Sequence, residues 1–144
     1  MIIMKMKELH DLIKQYIPQV TYLETETEEV VEGECAIWAQ DDCTFIIEFA
    51  NQSNESPALV AILQTISQKL DWLHNQRPKI EQLIVEKENF DTNNAYAVYT
   101  AFFVENEREV FCEFAISAPE WSEQVAEFSL ESNNELIYQG LEPA

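Results

Sequence analysis

Glycine and positive charge are both scarce in this sequence. Two glycines, Gly33 and Gly140, and eight basic residues stand against 27 acidic ones in 144 positions. A phosphate-cradling loop needs backbone that only closely spaced glycines supply, and G-x-x-x-x-G-K-[ST], G-x-G-x-x-G and G-x-S-x-G are all absent. Nucleotide chemistry is therefore disfavoured. The net charge, 8 − 27 = −19 with histidine neutral, repels the phosphates that a nucleic-acid binder must neutralise, so no direct contact with DNA, RNA or an anionic membrane is expected.

Cysteine and histidine are equally sparse. Cys35, Cys43 and Cys112 contain no Cys-x-x-Cys pair, which removes zinc ribbons and thioredoxin-like redox chemistry. An odd set on apolar, strand-like segments suits buried thiols in a reducing cytoplasm, with a Cys35–Cys43 bridge across a hairpin as the alternative. His10 and His74 have no i, i+4 partner and read as helix-surface residues rather than zinc ligands. Asp41-Asp42 lacks the spacing of a calcium loop and reads as a turn. No metal, cofactor or small-molecule ligand is expected, and no motif supports a Cys–His nucleophile. Pairs of carboxylates for hydrolysis can be drawn at will from so many acids, so they identify nothing.

Long hydrophobic runs are missing too. The most apolar stretch, Ala95 to Val104, falls well short of the roughly 18–20 residues of a membrane span. Met1 to Met6 is too short for a signal-peptide core and is followed by Lys7, Glu8 and Asp11, so the expected location is cytoplasmic.

What the sequence does have is core-forming material. It is 47% hydrophobic, with three Trp, five Tyr and eight Phe, enough to offset chain entropy in one domain spanning residues 1–144. Met6, Leu9, Ile13 and Tyr16 or Ile17 step by three and four, predicting a helix over 5–17 that Pro18 stops. From Thr21 to Val31, Glu24, Glu26 and Glu28 alternate with Leu23, Thr25 and Thr27, predicting a strand with carboxylates on one face. Residues 34–39 and 44–49 read as a hairpin joined by the polar Gln40 to Cys43. Ser56 and Pro57 mark a helix start before the stripe Leu59, Ile62, Leu63, Ile66, Leu70, Leu73. A second start at Asn75 to Pro78 precedes Ile80, Leu83 and Ile84.

After the turn-rich Asn89 to Asn94, the run Ala95 to Val104 is apolar on both faces, as a central strand covered on at least one side would be. Residues 110–117 return as its hairpin partner. Residues 124–130 and 135–139 flank Ser132, Asn133 and Asn134 in a third hairpin. The expected fold is α+β: a largely antiparallel sheet built from hairpins, with an N-terminal helix and a central helical pair packed on it and no βαβ alternation.

The charges are segregated. Lys5, Lys7, Lys14, Lys69, Arg77, Lys79 and Lys87 fall on predicted helices, and only Arg108 among strands. Ten acids and no base lie between Lys14 and Lys69, and eight acids with no base follow Arg108. One reading is a solvated surface that keeps the protein soluble. The other is a docking surface for a cationic partner, in which carboxylates speed encounter and aromatic residues supply affinity. The residues expected to carry it are Tyr22, Glu24, Glu26, Glu28, Glu29, Glu32, Trp38, Asp41 and Asp42, with Trp121 a further candidate anchor.

The small acidic chain, the central helical pair with its apolar stripe, and the paired strands closing in Leu-Ile-Tyr-Gln-Gly (136–140) resemble the small α+β immunity proteins that bacteria encode beside secreted polymorphic or contact-dependent toxins. The resemblance covers most of the chain in organisation and transfers no individual residue. It implies a non-enzymatic inhibitor that binds a cognate toxin's effector domain, a basic nuclease being one such target, in the producing cell. Alternatives with the same charge are a DNA-mimicking inhibitor of restriction enzymes and an acidic secretion chaperone. A small hydrolase is the enzymatic alternative.

Overall fold

A computed structural model describes residues 2–24, 27 and 29–144. The chain begins with α1 (Ile2–Tyr16), then β1 (Val20–Glu24), β2 (Val30–Ile37) and β3 (Gln40–Phe49). A 3-10 turn (Ser53–Glu55) leads to α2 (Leu59–Asn75) and α3 (Arg77–Glu88). Strands β4 (Tyr96–Asn106), β5 (Glu109–Ser117), β6 (Gln124–Leu130) and β7 (Leu136–Pro143) complete it. The seven strands form one sheet in chain order, β1 to β7. This is the α+β domain that the spacing predicts, but the single strand expected from Thr21 to Val31 is not formed: β1 stops at Glu24, Thr27 and Glu29 are bends, and Val30 and Val31 open β2, which runs back antiparallel to β1.

One step of the sheet departs from expectation. β3 and β4 are parallel, Thr44 opposite Tyr99 through Phe49 opposite Val104, whereas every other neighbouring pair is antiparallel. A parallel pair needs a long crossover, and the helical pair α2–α3 provides it. The hairpin-only reading thus omitted one β–αα–β unit, which joins the two antiparallel halves at the centre of the sheet.

The helices bury their stripes against one face. Leu9, Ile13 and Ile17 from the first segment, Ile62, Leu63, Ile66, Leu70 and Leu73 from α2, and Ile80 and Ile84 from α3 are all buried. They meet cross-strand rows such as Phe45–Thr100–Phe114–Phe128–Tyr138, set by the register of β3 to β7. Phe114 and Phe128 lie 6.4 Å apart and Phe128 and Tyr138 5.1 Å apart in tilted contact, within the range where aromatic pairs add to simple burial. The three cysteines are free and buried, with Cys35 directly opposite Cys43.

Gly33 sits on this helix-facing side, opposite Leu23 and Phe45. A Cβ added there would overlap the backbone carbonyl oxygen of Tyr22. Backbone cannot move aside as a side chain can, so Gly33→Ala should separate β1 from the sheet. The expected loss is about 1–3 kcal/mol, the range for overpacking, read as a lower denaturant midpoint with faster amide exchange in β1.

The connections differ from expectation in one informative place. The β2–β3 loop is Trp38-Ala39, not Gln40 to Cys43, and Asp41 and Asp42 lie within β3. Both loop residues have positive φ, 55° and 67°, the two-residue turn whose twist matches its strands but which normally uses Asn or Gly. Trp38 is held there from three sides. Its backbone N–H donates to His74 Nδ1 at 3.3 Å, its indole N–H to the Leu73 carbonyl at 3.1 Å, and its ring meets Phe114 edge-on at 5.3 Å. His74 is thus the exposed helix residue that the sequence suggests, and also an acceptor at the end of α2.

A second pin sits at the far side. Lys69, buried on α2, donates to the carbonyls of Glu131 and Ser132 and to Asn134 Oδ1 at 3.1, 3.1 and 2.7 Å. Three acceptors satisfy its three donors, which is how a buried ammonium is tolerated, and the β6–β7 turn is thereby fixed to the helix layer.

Candidate functional site

Residues paired across strands share a face, so the register defines the side of the sheet that the helices leave bare. One row reads Tyr22–Glu34–Thr44–Tyr99–Ala115–Glu127–Gly140. The next reads Glu24–Glu32–Ile46–Ala101–Glu113–Ser129–Ile137. A third, shorter row contains Val30, Glu48, Phe103 and Phe111. Alternation along β3 adds Asp42, and Glu142 joins opposite Val125.

Two kinds of side chain occupy this face. Its middle, on β3 to β5, is an apolar band of Ile46, Tyr99, Phe103 and Phe111, each half-buried, with the short Ala101 and Ala115 sunk between them. On either side stand carboxylates: Glu24, Glu32, Glu34, Asp42 and Glu48 towards β1, and Glu113, Glu127 and Glu142 towards β7. Among the described residues, no base lies in any strand; Arg108 is in the β4–β5 turn, and the others are on helices. The charge segregation legible in the sequence is thus a segregation between the two layers.

The electrostatics of the band reflect this. The Tyr99 hydroxyl is pushed up to about 12 by burial, then by the nearby Glu127 and Glu113 and by Cys112. The Glu127 carboxyl is raised by burial and by Glu142 and Glu113. Carboxylates here repel one another across adjacent strands, an arrangement that costs stability unless a cation approaches.

The residues singled out in the sequence divide clearly. Tyr22, 50% exposed, lies on the open face and donates through its hydroxyl to Glu24 Oε2 at 3.0 Å. Glu24 and Glu32 oppose each other on the same face, and Asp42 joins them. Asp41 is exposed but falls on the alternate side of β3, where its carbonyl accepts from the Thr21 hydroxyl at 2.7 Å. Glu29 is exposed in the bend before β2. Glu26 and Glu28 lie outside the described residues.

Trp38 and Trp121, expected as aromatic anchors, are instead buried. Trp38 is 4% and Trp121 2% exposed, so neither is an anchor on the surface. Trp121 packs at 5.2 Å on Phe90 and donates its indole N–H to the Asp91 carbonyl at 2.9 Å. Tyr99 and Phe103 are not singled out in the sequence because a strand apolar on both sides reads as core throughout; Phe111 stands on the other face of residues 110–117 from Val110, Cys112, Phe114 and Ile116, and the period of two alone marks it as set apart from the core.

Elsewhere, a polar cleft of about 340 Å³ lies past the ends of the parallel pair, lined by Asn51, Ser53, Glu55, Glu105 and Glu107 among others. The Ser53 hydroxyl in it is engaged with the Val104 carbonyl at 3.2 Å, and Asn51 Nδ2 with Glu105 Oε2 at 3.0 Å. Among the described residues, no group of three or more His, Cys, Asp or Glu is placed to hold a metal, and no helix is long and apolar enough to cross a membrane. No protein-family model, curated protein or solved structure matches the chain.

Proposed function

We propose that this protein is a non-catalytic immunity protein of the cytoplasm, which neutralises a basic toxin effector domain by occupying it with the open face of the sheet. The observation that carries this reading is the uncovered face itself, an apolar aromatic band bordered on both sides by carboxylates, with no base in the strands among the described residues. Such an arrangement suits a protein partner: the apolar centre supplies affinity once water is excluded, and the acidic border supplies rate and orientation.

The test is binding to the C-terminal domain encoded by the reading frame immediately upstream, at low and at physiological salt, together with growth rescue in cells expressing that domain. Tight binding that weakens with salt, accompanied by rescue, is the expected result. Salt-independent binding, or binding without rescue, overturns the proposal.

A further inference from the structure

We infer that the open face reads arginine: the partner seats guanidinium groups on the rings of Tyr99, Phe103 and Phe111, with their charge met by Glu48, Glu113 and Glu127. This deepens the proposed function and rests on it. Glu48 is the direct cross-strand partner of Phe103, Ala115 alone separates Tyr99 from Glu127 in their shared row, and Glu113 occupies the row beside both Tyr99 and Phe111. Adjacent strands lie about 4.8 Å apart, so each ring face has a carboxylate one or two strands away.

A planar cation that stacks on a ring while offering a fork of N–H donors to a neighbouring carboxylate satisfies both parts at once. A guanidinium does this, whereas an ammonium offers a point charge that prefers its water. Among the described residues no strand carries a base, and the chain's cation–π contact and ion pair, Arg77 with Trp38 and Arg77 with Glu81, lie on the helix side. A second copy of the chain is the wrong occupant, because face-to-face pairing would set carboxylates against carboxylates.

The experiment titrates 15N-labelled protein at low salt with hexa-arginine amide and, separately, with hexa-lysine amide. The expected result is that arginine shifts the amides of residues 46–48, 99–103 and 111–113 and binds several-fold tighter than lysine, about two- to five-fold for each ring engaged. Phe103→Leu with Phe111→Leu, which keeps apolar bulk and removes two of the three ring faces, should cut the arginine preference to the about two- to five-fold of the remaining Tyr99 ring while leaving hexa-lysine unchanged.

Equal affinity of both peptides for the native chain overturns the inference and leaves the acidic docking surface standing. Failure of both to bind overturns the inference and the cationic-partner reading together. Shifts confined to the helix layer or the cleft, or concentration-dependent shifts of these amides without peptide, overturn it in favour of another site or of self-association. Because the central comparison uses the native chain, it does not depend on whether a variant folds.

Discussion

Replacing Glu24, Glu32 and Glu34 together by lysine is expected to slow association with a basic partner by about a hundredfold at low salt, within the ten- to thousandfold range that electrostatic steering contributes. The three carboxylates are neighbours: Glu24 opposes Glu32, and Glu34 follows two residues along the same strand on the same face. Six units of charge change take the chain only from −19 to −19 + 6 = −13, so the molecule stays strongly acidic. What changes sign is the local field on the β1–β2 side of the open face.

A control separates the two effects. Lysine at Glu8, Asp11 and Glu86 alters the net charge identically but lies on the helix layer. It should slow association only slightly. Neither variant should move stability far, since substitutions of exposed residues usually stay within about 0.5 kcal/mol each. Stopped-flow association at several salt concentrations reads the result, and convergence of all three proteins at high salt is part of it. Equal slowing by both variants would mean that global charge, not the sheet face, directs encounter.

The sequence carried more of the fold than of the face. The α2 stripe is legible because Ile62, Leu63, Ile66, Leu70 and Leu73 repeat at the helical period and nothing competes with that pattern. The central position of β4 is legible because Ala95 to Val104 has no polar side. That same property hid the site: period-two reading shows that both faces are apolar but not whether the second is closed by a helix or left open. Only the register, which places Phe103 beside Glu48 and Ala101 beside Glu113, reveals an aromatic band exposed among acids.

The parallel β3–β4 pairing was illegible for a related reason. Which strand lies beside which is settled by contacts distant in sequence, and Phe49 and Tyr96 are separated by two helices. The β2–β3 turn was misplaced because Gln40-Asp41-Asp42 has turn composition, whereas Trp38-Ala39 has none. Tertiary burial of the indole overrode local preference there, and the real turn residues are recognisable only from what Trp38 touches.

That reversal makes Trp38 a test of stability rather than of binding. Trp38→Ala is expected to cost about 3–5 kcal/mol, the range for deleting a large buried aromatic side chain, against a total of about 5–15 kcal/mol for a typical domain. Three losses combine. The edge contact with Phe114 at 5.3 Å disappears, the Leu73 carbonyl loses its indole donor, and Arg77, whose guanidinium carbon lies 4.8 Å from the ring centroid, loses the surface it covers. The turn keeps its positive φ at both residues without the packing that holds it. Trp38→Phe should recover most of the loss, leaving a deficit of about 1–3 kcal/mol for the unpartnered Leu73 carbonyl. Urea unfolding measures both, with an unchanged slope marking a loss of stability rather than of cooperativity. If Trp38 were instead an interface anchor, Trp38→Ala would leave the urea midpoint in place and weaken partner binding. Its burial at the junction of α2, α3 and the sheet predicts the opposite order, with the midpoint falling first and binding lost only as the folded population falls.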